Sequence, residues 1–130
     1  MEKTAKAIRI DRNEGLSKIS VEDLESLAAD YFLIFANKDL KSLASVLSDD
    51  VVLRDWEITA TGKQEVLSAN ENIFNAFENI EVSIEKMYVC DMTVIAEITI
   101  NLDTETILVT DIIEFDSHQK IKSVTAYKGN

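Results

Sequence analysis

Three polar side chains, Tyr31, Asp55 and Asp111, stand at positions where the surrounding pattern favours apolar residues. Tyr31 lies in the apolar stripe of a predicted helix, and Asp55 ends the inward row of a predicted strand. Asp111 interrupts an apolar row between Val109 and Ile113. A carboxylate without a partner is costly to bury, so it must form a pair, stay protonated through a raised pKa, or face a water-accessible cavity. The three residues are therefore the candidates for chemistry in one shared pocket.

Each of the three positions also has a structural interpretation. Tyr31 fits a core tyrosine whose hydroxyl finds a backbone partner. Asp55 fits a strand-end carboxylate that reaches solvent or pairs with Arg54 or Lys63. The structural alternative is weakest for Asp111, because this residue stands in the middle of an apolar row in a strand that the pattern makes central. Both interpretations stay open at this point.

The first half of the chain predicts three helices and one strand. Ser20 is a suitable N-cap, and the buried stripe of the helix that follows comprises Leu24, Leu27, Ala28, Tyr31, Ile34 and Phe35. Asp39 caps a second, short helix whose apolar positions are Leu40, Leu43, Val46 and Leu47. In the strand that follows, Val51, Leu53 and Asp55 share one face, and Val52, Arg54 and Trp56 share the other. A third helix follows Gly62, and its apolar face holds Val66, Ile73, Phe74 and Phe77, with Asn70 among them.

The second half predicts strands over residues 80–89, 92–102, 106–115 and 121–127, separated by polar turns. Helices followed by meandering strands are typical of the α+β class. We expect three N-terminal helices packed on a curled, mainly antiparallel sheet around an apolar pocket. Residues 20–130 form one domain in this interpretation, and residues 1–19 form a flexible arm or a short helix.

The composition excludes several kinds of function. With 24 acidic against 13 basic residues among 130, the formal net charge of -11 repels nucleic acid. Cys90 is the only cysteine, so no intrachain disulfide can form, and no histidine or second thiol is placed beside it to make a metal site. No apolar run is long enough for a signal peptide or a membrane span. We expect a cytoplasmic protein that binds neither membrane nor metal.

Five segments of the chain resemble the nuclear transport factor 2-like superfamily, which includes ketosteroid isomerases and SnoaL-like polyketide cyclases. The resemblance covers roughly residues 22–129, and the segments that carry it are 31–40, 47–55, 62–66, 111–116 and 120–124. It implies a cone-shaped roll. Its implication for function is weaker, because catalytic, binding and structural proteins share this fold.

The resemblance also implies roles for the candidate residues. Tyr31 matches the tyrosine that donates a hydrogen bond to the substrate oxygen in ketosteroid isomerases, Asp55 matches the proton-shuttling base, and Asp111 matches the second, protonated donor. Val109 and Ile113, which flank Asp111 on the same face, would exclude water from its carboxyl group and so keep it neutral. The positions expected to contact substrate are Phe35, Asn70, Phe74, Ile98 and Val109.

The sequence also departs from the isomerase pattern. Trp56 follows the presumed base where those enzymes commonly carry proline, and the loop to Gly62 is shorter. Asn70 replaces a supporting tyrosine. His118 lies in a polar turn, so a dehydratase of the scytalone type, which uses pocket histidines, finds no support. We expect Trp56, on the face opposite Asp55, to serve packing or an interface.

The leading functional prediction is cofactor-independent proton transfer on a small hydrophobic carbonyl compound. The alternative is a non-catalytic module of the same fold that binds a small molecule or dimerises. We also expect a homodimer through the outer face of the sheet, with Ile95, Thr99, Thr125 and Tyr127 in the interface.

Overall fold

A computed structural model of the chain describes residues 19–129, so the predicted arm at residues 1–19 lies almost entirely outside the described residues. The helices are α1 (Val21–Ala36), α2 (Leu40–Val46) and α3 (Lys63–Ala76). The strands are β1 (Leu47–Arg54), β2 (Thr59–Thr61), β3 (Ile80–Cys90), β4 (Thr93–Leu102), β5 (Glu105–Phe115) and β6 (Ile121–Lys128). The predicted fold class is confirmed: three helices pack on a curved, mainly antiparallel sheet.

The six strands form one sheet in the order β2-β1-β6-β5-β4-β3. Only β1 and β6 run parallel, and the other neighbouring strands are antiparallel. The β4–β5 register is unbroken, whereas the registers of β3 with β4 and of β5 with β6 shift by a residue. Such irregularities bend strands and increase their twist. The sheet therefore curves around its inner face, which the helices cover.

The helix starts expected from the sequence are confirmed by their caps. The Ser20 hydroxyl accepts a hydrogen bond from the Asp23 amide at 3.0 Å, and the Asp39 carboxylate accepts one from the Ser42 amide at 3.1 Å. Each satisfies an amide that the first turn of a helix leaves without an intrahelical partner. Gly62 precedes α3 with φ +91°, a conformation that a side chain would strain.

Several predicted boundaries differ from the structure: β1 ends at Arg54, before Asp55 and Trp56, and α3 ends at Ala76, before Phe77. Leu47, expected at the end of the second helix, is instead the first residue of β1 and lies opposite Ile121 of β6. Its backbone is extended, with φ -92° and ψ 144°. The three-residue strand β2 was not predicted, because Thr59–Thr61 is too short to show a period of two.

The core lies between the helices and the inner face of the sheet. The apolar row that Asp111 interrupts is confirmed, since Val109, Asp111 and Ile113 are all buried. The other buried residues on the inner faces of β4 and β5 are Val94, Ala96, Ile98, Ile100 and Phe115. Phe32, outside the predicted stripe of α1, is also buried. Among residues 19–129 no helix has both the length and the apolar character needed to cross a bilayer. The cytoplasmic location stays a prediction.

Asp103 joins two connections of the fold. It lies in the two-residue turn between β4 and β5 with φ +54°, and its carboxylate accepts hydrogen bonds from the amides of Glu78 at 3.2 Å and Asn79 at 2.8 Å. Its own amide donates to the Asn79 carbonyl at 3.1 Å. The β4–β5 turn is thereby attached to the segment that leads from α3 into β3.

We predict that Asp103→Ala destabilises the protein more than Asp91→Ala. Both aspartates begin two-residue turns with positive φ, but only Asp103 has side-chain hydrogen bonds in the described part of the chain. The difference in the free energy of unfolding should be about 1 to 2 kcal/mol, the contribution of the lost bonds. Urea denaturation of the two variants measures it. Equal destabilisation would show that the bonds contribute nothing beyond turn conformation.

Candidate active site

A cavity of about 320 Å³ opens between the helices and the concave face of the sheet. Its walls come from α1, α3, the segment after β1, and the inner faces of β4, β5 and β6. Most of these wall residues are apolar, such as Phe35, Ile98 and Val109. A concave, mostly apolar cavity with a few polar groups is the usual form of a small-molecule site.

The structure brings the three sequence candidates together in this cavity. Tyr31 projects from α1, Asp111 from the middle of β5, and Asp55 from the position directly after β1, and all three residues line the wall. Tyr31 is 7% exposed and Asp111 is 6% exposed, whereas Asp55 is partly exposed. Tyr31 and Asp111 are 80 positions apart in the sequence, yet the charge of Asp111 raises the pKa of Tyr31. The charge of Asp55 raises the pKa of both.

Tyr31 and Asp111 direct their polar atoms into the cavity. No hydrogen bond joins either side chain to another group among residues 19–129, yet no fully buried side-chain nitrogen or oxygen there lacks a partner. The phenol and the carboxyl must therefore touch the open space of the cavity. The interpretation of Tyr31 as a core tyrosine bonded to the backbone does not hold.

The surroundings of Asp111 keep its carboxyl in the neutral form. Its neighbours across the sheet are Ala96 on β4 and Ala126 on β6, and Val109 and Ile113 flank it along the strand. None of these side chains can solvate a charge. Burial raises the pKa of Asp111 to about 7, and the negative charge of Asp55 adds to the rise. Below that pH the carboxyl carries a proton that it can donate.

The same environment keeps Tyr31 neutral. Burial raises the pKa of the phenol far above its ordinary value, and the carboxylates of Asp111 and Asp55 raise it further. A neutral phenol has one O–H group to donate. The cavity therefore offers two hydrogen-bond donors, Tyr31 and protonated Asp111, to a ligand.

Asp55 is held in place by the turn that follows it. Its Oδ1 accepts hydrogen bonds from the amides of Glu57 at 2.8 Å and Ile58 at 2.7 Å, and its own amide donates to the Ile58 carbonyl at 2.9 Å. Aspartate commonly organises turns in this way. Oδ2 has no hydrogen-bond partner within residues 19–129 and is free to face the cavity. A proline after Asp55 is therefore not needed to orient it.

The ion pairs considered for Asp55 do not form. Lys63 lies 3.4 Å from Asp49 instead, and Arg54 is exposed on the other face of β1. The Asp55 carboxylate thus has local backbone donors on one oxygen and no basic partner in the described part of the chain. This arrangement suits a group that accepts protons.

The prediction for Trp56 was wrong. Because β1 ends at Arg54, Trp56 lies in the following turn and not on the far face of the strand, and its side chain lines the cavity. The Nζ atom of Lys128, another lining residue, lies 5.9 Å from the centroid of its ring. The alternating pattern assigns Trp56 to the outer row of β1, although that strand stops two residues earlier, and it gives no role to Lys128 at the end of β6.

Four of the five positions expected to contact substrate line the cavity, and one does not. Phe35, Asn70, Ile98 and Val109 line the cavity, but Phe74 does not: its ring packs edge-on against Phe35 with centroids 5.5 Å apart. The amide nitrogen of Asn70 donates to the Val66 carbonyl at 2.9 Å, which leaves its side-chain oxygen as an acceptor for the cavity. His118 is exposed in the turn after β5, as expected.

The model of the SnoaL-like domain matches residues 28–124, well over half of the chain. The chain therefore belongs to the SnoaL-like domain family, in agreement with the superfamily expected from the sequence. No functionally curated protein matches it.

Solved structures with this fold are similar to the chain at low sequence identity. A nuclear transport factor 2-like protein of unknown function from Cytophaga hutchinsonii superimposes with TM-score 0.70 and 14% identity, over 88% of this chain and 94% of that one. A steroid delta-isomerase from Pseudomonas aeruginosa gives TM-score 0.67 and 17% identity, over 88% and 84%. An epoxide hydrolase of M. tuberculosis, described as LEH-like, gives 0.69 and 16%, over 82% of each. Identities this low establish the fold alone.

We predict that the free energy of unfolding of Asp111→Asn, relative to that of the wild type, increases with pH. The folded-state pKa of about 7 exceeds the unfolded value of 3.8, so between them the folded protein holds a proton that the unfolded chain has lost. Raising the pH through this window therefore costs the wild type stability, up to about 4 kcal/mol, and the neutral amide escapes this cost.

Urea denaturation from pH 4 to pH 8 measures the effect. Asp91→Asn, a change of an exposed turn residue, is the control, and its difference from the wild type should stay constant. Parallel pH profiles for the wild type and Asp111→Asn would contradict the neutral carboxyl.

Proposed function

We propose that this protein catalyses cofactor-independent proton transfer next to a carbonyl group of a small hydrophobic compound, as an isomerase does. The observation that carries the proposal is a carboxyl group, Asp111, whose pKa is raised by an apolar wall next to the buried phenol of Tyr31. Two neutral donors in a cavity suit a carbonyl oxygen. Asp55, the carboxylate nearer solvent, suits the base.

In this mechanism the free Oδ2 of Asp55 removes a proton from the carbon beside the carbonyl. The electrons of the broken C–H bond form a carbon–carbon double bond, and the carbonyl oxygen becomes an enolate oxygen. Tyr31 and Asp111 donate hydrogen bonds to that oxygen as its negative charge develops. Protonated Asp55 then returns the proton to the same or another carbon, and the second outcome moves a double bond.

The apolar walls make the two donors effective. In a medium from which water is excluded, a hydrogen bond to a developing charge is stronger than it is in water. Val109 and Ile98 supply this environment on the sheet side, and Phe35 supplies it on the helix side. Removing one donor of this type typically lowers the rate by about 10²- to 10³-fold.

The non-catalytic alternative is supported by the turn after β1. Because Oδ1 of Asp55 accepts two backbone hydrogen bonds, the residue has a structural role that needs no chemistry. In that case the cavity binds a small hydrophobic molecule without changing it, and Tyr31 and Asp111 only position the ligand. Activity measurements separate the two functions.

We predict that Asp55→Asn lowers the rate of isomerisation of β,γ-unsaturated cyclic ketones by about 10²- to 10⁴-fold, the range for a lost general base. Asparagine keeps an acceptor oxygen for the Glu57 and Ile58 amides, so the turn is retained while the base is lost. Ultraviolet absorbance of the conjugated product measures the isomerisation. Deuterium uptake beside the carbonyl in D₂O, followed by NMR, measures proton removal independently.

Asp91→Asn, in an exposed turn, is the matched control and should keep full activity. The catalytic proposal fails if the wild type neither isomerises nor exchanges any ketone of the panel. It also fails if Asp55→Asn matches the wild type in both assays.

We further propose that two copies associate through the outer face of the sheet. Ile95 and Thr125 flank Ile112 in one row across β4, β5 and β6, and all three are partly buried. On the same face Leu108 is 50% exposed and Tyr127 is 60% exposed. Exposed apolar groups on one face of a sheet favour a twofold interface.

Light scattering at micromolar concentration should give about twice the chain mass of 14.6 kDa. Leu108→Glu with Tyr127→Glu should reduce the mass to that of one chain, because the acidic groups would face their copies across the interface. Leu33→Glu is the control, since Leu33 is 61% exposed but lies on α1, on the helix side. A monomeric wild type would refute the interface.

A further inference from the structure

One cation lies in the wall of the cavity. Lys128 is opposite Val109 in the β5–β6 register, so its side chain is on the inner face of the sheet, and it lines the cavity. Its Nζ lies 5.9 Å from the ring centroid of Trp56, within the range of a cation–π contact. The contact restrains a side chain that would otherwise be free at the end of the last strand.

Within residues 19–129 the ammonium group of Lys128 has no partner of opposite charge. No ion pair or hydrogen bond joins it to any group of residues 19–129, although Glu57 and Glu105 line the same cavity. No other lysine or arginine of the described part of the chain lines this wall. In a chain of formal charge -11, acidic partners are plentiful, so an unpaired cation in a cavity leaves a place for an anion supplied by a ligand.

The position of Lys128 relative to the donors defines the shape of such a ligand. Asp111 is opposite Ala126 on β6, and Lys128 is the next residue of that strand on the same face. Two residues of a strand span about 7 Å. Val109 and Ile98 lie in the same row as Lys128, directly next to the row of Asp111. The wall of the cavity therefore has a hydrogen-bond donor in one row and a cation about 7 Å away in the next, with apolar side chains beside the cation.

We propose that Lys128, held over Trp56, is a subsite for a carboxylate on the ligand, and that the ligand is an amphipathic compound with a carbonyl or phenolic oxygen at its other end. The proposal rests on the proposed function for the position of that oxygen at Tyr31 and Asp111. Glu57 and Glu105 also line the cavity, and their negative charges repel a ligand carboxylate that is not bound to the ammonium group. They therefore favour the one orientation in which the carboxylate contacts Lys128.

Two probes that differ by one carboxylate test the subsite: 2-naphthol and 6-hydroxy-2-naphthoic acid. Calorimetric titration at pH 6 gives the dissociation constant of each, with the carboxylate ionised and the phenol neutral. We predict that the wild type binds the acid about tenfold more tightly than the naphthol, and that Lys128→Met removes this preference, as expected for one charge-assisted hydrogen bond. The affinity of Lys128→Met for 2-naphthol should stay within about twofold of that of the wild type.

Two further variants control the result. Lys122→Met removes an exposed lysine of the same strand that does not line the cavity, so it should leave both affinities unchanged. Lys128→Arg keeps the charge and should keep the preference for the acid. Far-ultraviolet circular dichroism shows whether each variant is folded.

The subsite is overturned if the wild type binds the acid no more tightly than the naphthol, or if Lys128→Met weakens both probes equally. Binding of neither probe overturns it as well. Its failure is distinguishable from that of catalysis. A preference for the acid that depends on Lys128, combined with ketones that neither isomerise nor exchange, would support the subsite and reject the enzyme.

Discussion

The removal of water from Asp111 is the constraint on which the site depends. A carboxyl group in the centre of a sheet destabilises the folded state whenever it is charged, so the fold and the proton are coupled. The nearby charge of Asp55 makes ionisation more costly still. The same two effects that penalise the charged form make the neutral form a donor at pH values where an ordinary aspartate has none. The ability of Asp111 to donate a proton thus results from the way the surrounding side chains pack.

The sheet creates this environment through its register. The unbroken pairing of β4 with β5 places Ala96 beside Asp111, and β6 adds Ala126 on the other side. Small side chains on both sides leave the carboxyl open to the cavity, and a larger residue would cover it. The curvature of the sheet then allows α1 to bring the Tyr31 phenol over the same space. Strand pairing, side-chain size and curvature are each required.

How far the sequence predicts this site depends on the regularity of each segment. The sequence predicts Asp111 as a site residue because it interrupts an alternating apolar row between Val109 and Ile113. Tyr31 was identified in the same way from the helical period. Periodicity does not predict that Trp56 and Lys128 line the cavity. Trp56 lies in a turn and Lys128 ends a strand, and at such positions an alternating pattern carries no information. The sequence does not predict the hydrogen bonds that hold the Asp55 carboxylate, because their donors are backbone amides, which every residue type except proline has.

The fold does not decide between isomerase and hydrolase, since a steroid delta-isomerase and an epoxide hydrolase superimpose on this chain about equally well. What distinguishes one member from another is the order of polar groups along the cavity. Here that order places neutral donors inside, a carboxylate held by its own turn toward solvent, and an unpaired ammonium group one row away. The ligand proposed for these groups carries an oxygen acceptor at one position and an anion about 7 Å away on an apolar body. Chemistry at this site is therefore restricted first by the spacing of charges and only then by the shape of the walls.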